Sequence, residues 1–150
     1  MIRLTEKLFA TSSFEATLSL PIDIRIKSRA RVTLDNGQEA GLFLERGSLL
    51  RDGDLISAVN GPIVKVIAAK ETVSTIYCDS QLQLARAAYH LGNRHIPLQI
   101  EQDWLRYQQD NVLDDMLKQM GLEVFVEQAP FEPEAGAYQQ QLPSHGHSSN

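Results

Sequence analysis

The apolar residues in the first 70 positions recur at every second position, which is the period of a β-strand with one buried face. The first stretch contains Phe14, Ala16, Leu18 and Leu20, and the pattern continues through Ile22, Ile24 and Ile26. No apolar period of about 3.6 residues persists in this part of the chain. We therefore expect strands, and no helix, in residues 1–70.

A tight turn is predicted at Asp35-Asn36-Gly37. Alternating apolar residues flank it, at Ala30, Val32 and Leu34 before the turn and at Ala40, Leu42 and Leu44 after it. Asn-Gly favours a hairpin because both central turn positions need a positive φ. With further short strands such as residues 63–68, this part is predicted to be a small all-β sandwich or barrel.

From residue 71 the pattern changes to alternating strands and helices. The predicted elements are a strand at 72–77, a helix from Ser80 to Gly92, strands at 96–100 and 104–107, a helix from Asp110 or Asn111 to Gly121, and a strand at 122–126. Ser80 and Gln83 have the spacing of a capping box, and Gly92 is expected to stop the first helix. The order β-α-β-β-α-β is that of a ferredoxin-like fold.

Each predicted helix carries an apolar stripe, which should pack on one face of the sheet. The stripes contain Leu82, Ala85 and Tyr89 with Ala88 beside them, and Val112, Leu113, Met116, Leu117 and Met120. The other face of the sheet would be free for a partner. So small a domain often gains stability from association, which indicates a homodimer.

The chain is thus predicted to be an α+β protein in three parts. A β domain of the partner-binding type spans residues 1–70, a ferredoxin-like domain spans 71–128, and a flexible tail spans 129–150. The tail sequence is rich in Pro and Gln and has no Lys or Arg. Its few large apolar groups would not offset the conformational entropy lost on ordering.

Composition excludes several classes of protein. The formal net charge of -5 argues against a nucleic-acid binder, which needs a clustered positive surface. No run of 18 apolar residues is present, so no membrane-spanning helix is expected. Cys78 is the only cysteine, and a lone thiol together with the absence of a signal-peptide pattern fits the cytoplasm.

The four histidines are the main candidates for chemistry, and all lie after residue 89. His90 and His95 flank the end of the first predicted helix, and neutral imidazole is a common ligand for nickel, zinc and copper. Gly92-Asn93-Arg94 is expected to form a tight turn that presents His95 to a metal. The alternative is that His95 is a surface or half-buried histidine that hydrogen-bonds locally. His90 shares the polar side of its helix with Gln83 and Arg86, which favours a solvated role.

His145 and His147 form a His-x-His pair in the predicted tail. This spacing lets two imidazoles reach one ion, although two histidines on a flexible chain can equally have no function.

Other chemistries have little support. A nucleophilic Cys78 with His90 as its base is less plausible than a small packed thiol. Asp114 and Asp115 are adjacent on a helix and diverge, so helix-start electrostatics explains them better than catalysis. The sequence therefore does not predict an enzyme.

One segment resembles a known family. The run from Ala88 to Ile100, AYHLGNRHIPLQI, looks like the hallmark segment of UreE, the urease accessory metallochaperones. The resemblance continues at Leu105-Arg106-Tyr107, Val112 to Met116 and Gly121-Leu122. It includes upstream Leu44 to Gly47, Leu50 to Asp54 and Lys70-Glu71.

The resemblance implies a β domain, a ferredoxin-like domain and a dimer formed through the second domain. It implies that His95 faces its symmetry mate and that the pair helps to bind one Ni(II) ion as cargo. It also implies tail ligation by His145 or His147, and delivery to the urease accessory GTPase and apo-urease. Gln109 and Asn111 replace histidines that some members carry, so a second internal metal site is not expected.

Two alternatives remain open. The first is a protein-interaction module in which the histidines are incidental and extended segments bind at a sheet edge. The second is a zinc- or copper-binding regulator, because imidazole ligation does not by itself select nickel, and Zn(II) or Cu(II) should bind in vitro.

Overall fold

The computed structural model describes residues 1–136, and these divide into two compact units with the boundary between Ala69 and Lys70. The first unit contains β1 (Ile2–Leu8), β2 (Ala16–Leu20), α1 (Ile22–Arg25), β3 (Arg29–Thr33), β4 (Glu39–Phe43), β5 (Leu55–Ala58) and β6 (Ile63–Ala68). The described part of the second unit contains β7 (Lys70–Tyr77), α2 (Gln81–Gly92), β8 (Gln99–Ile100), β9 (Trp104–Gln108), α3 (Asn111–Gln119) and β10 (Phe125–Pro130).

The strands of the first unit form one curved, barrel-like sheet in the order β2-β6-β5-β1-β4-β3. The pairs β1–β4 and β2–β6 are parallel, and the other neighbours are antiparallel. The alternating residues point inward as expected, and Leu4, Leu18, Leu42, Ile56 and Val64 are fully buried in its core. The predicted strand-rich N-terminal fold is confirmed.

One predicted strand in this unit is wrong. Ile22, Ile24 and Ile26 alternate in sequence, but residues 22–25 form the short helix α1. Pro21 precedes the helix with φ -72°, and its carbonyl accepts hydrogen bonds from the Ile24 and Arg25 amides. The side chain of Arg25 is buried, and its Nε donates to the Leu20 carbonyl at 3.0 Å. Its Nη1 donates to the Leu50 carbonyl at 3.3 Å, and this tertiary hydrogen bond favours the helical turn over the extended conformation that local alternation predicts.

The predicted hairpin is confirmed, and Asp35 attaches it to a further strand. Of the two central turn residues only Gly37 has a positive φ, 93°, so the positive φ expected at Asn36 is wrong, and β3 pairs with β4 from Thr33–Glu39 to Arg29–Phe43. The Asp35 carboxylate accepts hydrogen bonds from Thr17 Oγ1 at 2.6 Å and from Ser19 Oγ at 2.9 Å. These bonds, that from Thr17 foremost, lower the pKa of Asp35 despite partial burial. The hairpin is thereby held beside β2, to which its strands do not pair.

The second unit has a four-stranded sheet in the order β10-β7-β9-β8, and all neighbouring strands are antiparallel. In sequence order the elements are β-α-β-β-α-β, so the predicted ferredoxin-like arrangement is confirmed. Buried residues on the helix side of the sheet, including Ile76, Leu105 and Tyr107, share one core with both helices.

The apolar stripe predicted for the first helix does not face this core. Leu82 and Tyr89 are 59% and 65% exposed, and Ala85 is exposed as well. The buried side of α2 instead contains Ala87 and Leu91, with Leu84 and Ala88 packed beside them. Both sides of the helix are apolar, so periodicity alone did not identify the side that faces the sheet.

The stripe predicted for the second helix is confirmed in its centre only. Leu113 and Leu117 are buried in α3, and Met116 packs against the core. Val112, by contrast, is 63% exposed. The helix ends at Gln119, and Gly121, two residues later, has a φ of 85° that favours glycine.

The prediction that a flexible tail begins at residue 129 places its start too early in the chain. β10 pairs with β7 as far as Pro130, and the next residue, Phe131, is fully buried. The Glu132 amide donates to Gln99 Oε1, and the Glu134 amide donates to the Leu98 carbonyl, each at 2.9 Å. Burial of one aromatic ring and this backbone pairing offset the entropy of ordering a segment that is polar in composition. Residues 137–150 lie outside the described part.

Within residues 1–136, no helix is both long and apolar enough to span a bilayer.

Replacing Asp35 with alanine should loosen the hairpin. Loss of its hydrogen bonds to Thr17 and Ser19 should destabilise this region by about 1 kcal/mol, a modest value for an exposed site. Amide hydrogen exchange should become faster at Ser19 and Gly37 and stay unchanged in the second unit. Asp23→Ala, which removes an exposed carboxylate from α1, is the matched control. Equal exchange in the two variants would contradict this role for Asp35.

Candidate metal centre

The helix that leads to His95 begins at a side-chain cap. Ser80 precedes α2 in an extended conformation, and its Oγ accepts a hydrogen bond from the Gln83 amide at 3.1 Å. The Gln83 side chain reaches back and accepts from the Asp79 amide at 2.7 Å. The predicted capping interaction is present, and it satisfies free amides at the helix start.

The other end of α2 forms the tight turn that carries His95. The amides of Asn93, Arg94 and His95 donate to the carbonyls of Tyr89, Leu91 and Gly92, each at 3.0 Å. The prediction that Gly92 stops the helix is wrong in its detail, because Gly92 is the last helical residue and Asn93 still has right-handed geometry. The chain leaves the helix at His95, which adopts φ 57°.

A left-handed conformation is unusual for a residue that is not glycine. It costs about 1–2 kcal/mol for a residue with a Cβ atom. Among residues 1–136, only Asn60 and His95 adopt it without being glycine. Such strain persists only where the surrounding structure requires it, and it often occurs at functional positions.

Two buried leucines hold the turn on either side of His95. Leu91 is fully buried and Leu98 is 6% exposed, and both belong to the core of the second unit. The four residues from Gly92 to His95 are exposed. The backbone is therefore fixed by packing on both sides while the imidazole faces solvent.

His90 and His95 have different environments. His90 is exposed on the last turn of α2, and its ring contacts the ring of Tyr89 edge-on at 5.2 Å between centroids. This local aromatic contact supports the solvated role predicted for His90. His95 has the strained, anchored backbone described above. The two histidines therefore differ in backbone conformation, and only His95 has the strained conformation that often occurs at functional positions.

The remaining predicted ligands, His145 and His147, lie outside the described residues. In residues 1–136, no group of three or more His, Cys, Asp or Glu side chains is arranged to hold a metal ion. His95 is therefore not part of such a group in the described residues.

A hydrogen-bond network occupies the region where Gln109 and Asn111 lie. Gln109 Nε2 donates to Asn111 Oδ1 at 2.9 Å and to Asp114 Oδ2 at 3.0 Å. The other oxygen of Asp114 accepts from Ser74 Oγ at 2.7 Å and from Tyr107 Oη at 2.6 Å. Asp114 is only 5% exposed, so its carboxylate ties α3 to β7 and β9.

The network changes the acidity of both buried groups. Burial raises the pKa of Asp114, but the hydrogen bonds from Tyr107, Ser74 and Gln109 outweigh it and leave the pKa below its ordinary value. Burial first, and then the bond to Asp114, raises the pKa of Tyr107. The carboxylate is thus held ionised and the phenol neutral.

Sequence analysis missed this role, since it assigned Asp114 to helix-start electrostatics. The available signal was its position. Asp114 lies one residue after Leu113 and three before Leu117, which places it on the buried side of α3. A carboxylate on that side needs hydrogen-bond donors.

Cys78 has the properties of a packed residue. It is half-buried against the core of the second unit, and its amide donates to the Asp103 carbonyl at 2.8 Å. Burial, followed by the nearby charges of Asp79 and Asp103, raises the pKa of the thiol. A raised pKa disfavours the thiolate that nucleophilic chemistry needs.

Replacing His95 with glycine should stabilise the metal-free protein by about 1 kcal/mol, because glycine relieves the left-handed strain. His90→Gly is the matched control and should destabilise by about 1 kcal/mol, because glycine disfavours a helix. Trp104, the only tryptophan, lies on β9 and reports unfolding of this unit by fluorescence in urea. Destabilisation of similar size in both variants would contradict a strained His95.

Replacing Asp114 with asparagine should destabilise the second unit by about 2 kcal/mol near neutral pH, because charged hydrogen bonds to buried hydroxyls are lost. A lowered folded-state pKa gives stability that is present above about pH 4 and is lost as pH falls through the folded value. The difference from the unmodified protein should therefore shrink on acidification. Asp115→Asn, one residue along and exposed, is the control and should show neither effect. A difference that does not depend on pH would contradict an ionised Asp114.

Comparison with known proteins covers nearly the whole chain. Residues 4–69 match the model of the N-terminal domain of the UreE urease accessory protein, and residues 71–150 match the model of its C-terminal domain. The urease accessory protein UreE of Alcanivorax borkumensis is 57% identical, over 93% of this chain and 86% of the relative. The UreE protein of Pseudomonas putida strain W619 is 60% identical over 93% and 87%, and that of Citrobacter koseri is 55% identical over 98% and 96%.

The two matched models meet at the boundary between the two compact units, and the fold agrees with the arrangement that the GNRH segment implied. The chain belongs to the UreE family of urease accessory proteins.

Proposed function

We propose that this chain is a cytoplasmic metallochaperone that binds Ni(II) as cargo through His95 and delivers it during assembly of the urease active site. Membership of a family of urease accessory proteins supports a role in urease maturation. The observation that carries the proposal is the anchored, left-handed turn that holds His95 exposed.

In this proposal the site is shared between two copies of the chain. One imidazole binds a metal weakly, and residues 1–136 of one copy supply no group of three suitable donors. A two-fold homodimer would bring two His95 side chains together. His145 and His147 would add imidazole nitrogens, and water or other oxygen ligands would complete the coordination.

The exposed stripe on α2 supports a homodimer at this position. Leu82, Ala85 and Tyr89 are apolar or aromatic and exposed, and Tyr89 lies six residues before His95. Apolar side chains of this size are stabilised when a partner surface covers them. A second copy packed against this stripe would bury it and place the two turns close together.

Imidazole and oxygen ligands suit a protein that must release its cargo. A closed set of thiolates holds a metal as a structural element, whereas an exposed site with few protein ligands exchanges it more readily. The recipients in this proposal are the urease accessory GTPase and apo-urease. The chain would act as a carrier and not as an enzyme.

The proposal predicts a specific loss of nickel binding in His95→Ala. Calorimetric titration of the full chain should show about one tight Ni(II) site per dimer. The His95→Ala variant should lose that site while light scattering still reports a dimer. His90→Ala is the matched control and should bind nickel as the unmodified protein does. The double change His145→Ala with His147→Ala should weaken binding without removing it.

Acidification should also release the metal. Protons compete for imidazole nitrogens, whose ordinary pKa is about 6.5, so nickel affinity should fall below about pH 6. Full nickel occupancy at pH 5 would exclude imidazole ligation. Unchanged nickel binding by His95→Ala would place the central site elsewhere.

Two alternatives have distinct outcomes. The test uses cells that lack their own accessory protein and are grown at limiting nickel. If the chain is a pure interaction module, the His95→Ala variant should restore urease activity in these cells as well as the unmodified protein does. A zinc or copper regulator predicts that Ni(II) is displaced by equimolar Zn(II) or Cu(II) and that urease activation is unaffected by the loss of His95. Zn(II) or Cu(II) binding in vitro alone does not distinguish these functions.

A further inference from the structure

The sheet of the second unit carries three aromatic rings at one end of the face that is turned away from the helices. Tyr77 on β7 pairs with Trp104 on β9, and Phe125 on β10 pairs with Thr75, two residues before Tyr77. Directly paired residues of antiparallel strands point to the same face, as does every second residue along a strand. The three rings therefore share the face opposite to the one that packs against α2 and α3.

These rings form one continuous exposed surface. The centre of the Tyr77 ring lies 6.5 Å from that of Trp104 and 5.9 Å from that of Phe125. Tyr77 is 55% exposed, Phe125 is 43% exposed and Trp104 is half-buried. Neighbouring aromatic side chains on a protein surface are typical of the centre of a protein–protein interface. We call Tyr77, Trp104 and Phe125 the aromatic surface.

The rest of this face is covered by the chain itself. Arg106 pairs with both Thr75 and Gln99, so its side chain lies on the same face. The Arg106 Nη1 donates to the Pro130 carbonyl at 3.0 Å, and the Glu132 amide donates to Gln99 Oε1 at 2.9 Å. The segment after β10 thus crosses the face beside Arg106 and Gln99, and it leaves the aromatic surface exposed.

The aromatic surface has acidic surroundings. Its three rings belong to three segments of the chain, residues 77–85, 99–105 and 119–126. These segments contain no Lys or Arg. Their carboxylates are all exposed and belong to Asp79, Glu101, Asp103 and Glu123. An apolar area bordered by negative charge is therefore presented at this end of the sheet.

One guanidinium group already lies against these rings. The guanidinium carbon of Arg106 is 4.4 Å from the centre of the Trp104 ring. Its Nε donates to Thr75 Oγ1 at 2.9 Å, and its Nη2 is 3.4 Å from Glu127 Oε2. The charge of Arg106 is thus paired with Glu127. The contact with Trp104 is an example, within the chain, of how this surface can hold an arginine.

We propose that the aromatic surface and the carboxylates around it bind a surface of a partner protein in which arginines lie beside aliphatic side chains. A guanidinium group stacks on aromatic rings and also bonds carboxylates, so arginine matches both parts of this surface. Aliphatic side chains next to the arginines would cover Tyr77 and Phe125. Contacts between arginine and buried aromatic rings are among the strongest at protein interfaces.

The charge of the unit decides between possible occupants. Residues 70–150 contain five Lys or Arg and eleven Asp or Glu. A second copy of the chain would place the same carboxylates opposite each other, and like charges across an interface repel. A nucleic acid or an anionic lipid surface would be repelled for the same reason. A basic protein surface would be attracted.

The aromatic surface is separate from the proposed nickel site. It lies at the end of β7, after which α2 begins at Gln81. The helix then runs for twelve residues, about 18 Å, before the turn that carries His95. The surface uses no histidine and lies on the sheet face away from α2. Partner binding and nickel binding should therefore be lost independently.

Trp104, the only tryptophan, provides the readout for a binding test on the full chain with a chelator present. The probe is a peptide of four Arg-Leu repeats, which has no aromatic residue. It should change the Trp104 emission at low ionic strength, and added salt should weaken its binding. Four Lys-Leu repeats, with the same charge, should bind more weakly because an ammonium group does not stack on rings as a guanidinium does. Four Glu-Leu repeats should not bind.

Replacing the two most exposed rings tests the aromatic part. Tyr77→Ala with Phe125→Ala should weaken binding of the Arg-Leu peptide by about tenfold or more. Phe9→Ala with Phe14→Ala is the matched control, because it removes two exposed rings from the first unit, and it should bind normally. Circular dichroism should show that both double variants are folded.

Replacing two carboxylates tests the charged part without changing a ring. Asp79→Asn with Asp103→Asn should weaken peptide binding and reduce its dependence on salt. Asp23→Asn with Asp115→Asn removes two exposed carboxylates elsewhere and is the matched control. This pair tests the proposal even if the ring variant is unfolded, since all four carboxylates are exposed.

Several outcomes would overturn the proposal. They are no effect of the Arg-Leu peptide on the Trp104 emission, equal binding of the Arg-Leu and Lys-Leu peptides, and equal binding by a variant and its matched control. Tighter binding of phosphatidylglycerol vesicles than of the peptide would assign the surface to a membrane. Self-association that light scattering detects without peptide, and that Tyr77→Ala with Phe125→Ala abolishes, would assign it to a second copy of the chain.

Discussion

The burial of Leu91 and Leu98 on either side of one short turn is the constraint on which the candidate site depends. Both leucines are packed in the core of the second unit, so the chain must leave α2 and re-enter the core within six residues. The turn accomplishes this with a left-handed residue at His95. Packing energy distributed over the core thereby compensates for a conformation that would be unfavourable in isolation. An exposed imidazole with a fixed backbone is the result.

A second consequence concerns the surface beside that turn. Because Ala87 and Leu91 occupy the sheet side of α2, Leu82 and Tyr89 are left in solvent. Asp114 similarly fixes how α3 meets the sheet, since its carboxylate is bonded to side chains of β7 and β9. The orientation of both helices is thus specified by contacts with the sheet. The exposed stripe next to His95 follows from the orientation of α2. It supports the proposal that His95 lies in a site shared between two copies of the chain.

Much of the architecture could be predicted from local patterns. The Asn36-Gly37 hairpin, the caps at Ser80 and Asp110, and the order of the ferredoxin-like elements all appear in the structure. Each depends on chemistry within a few residues, such as a positive φ or a side-chain oxygen near a free amide. The prediction failed at α1, at the buried side of α2 and at residues 129–136. In each case a distant partner decided the outcome, such as the Leu50 carbonyl for Arg25 or Gln99 for Glu132.

The sequence by itself determined the strand-rich character of the first unit, the order of the elements in the second unit and the family, because turn chemistry, periodicity and the GNRH segment are local properties of the chain. It also singled out His95 as the candidate ligand. Only the tertiary structure decided that His95, and not Gly92, adopts the left-handed conformation, that Asp114 is a buried hub and that Tyr77, Trp104 and Phe125 share one face. These features arise from contacts between residues far apart in sequence. Burial and pairing across a sheet depend on which elements meet, and no local pattern encodes that choice.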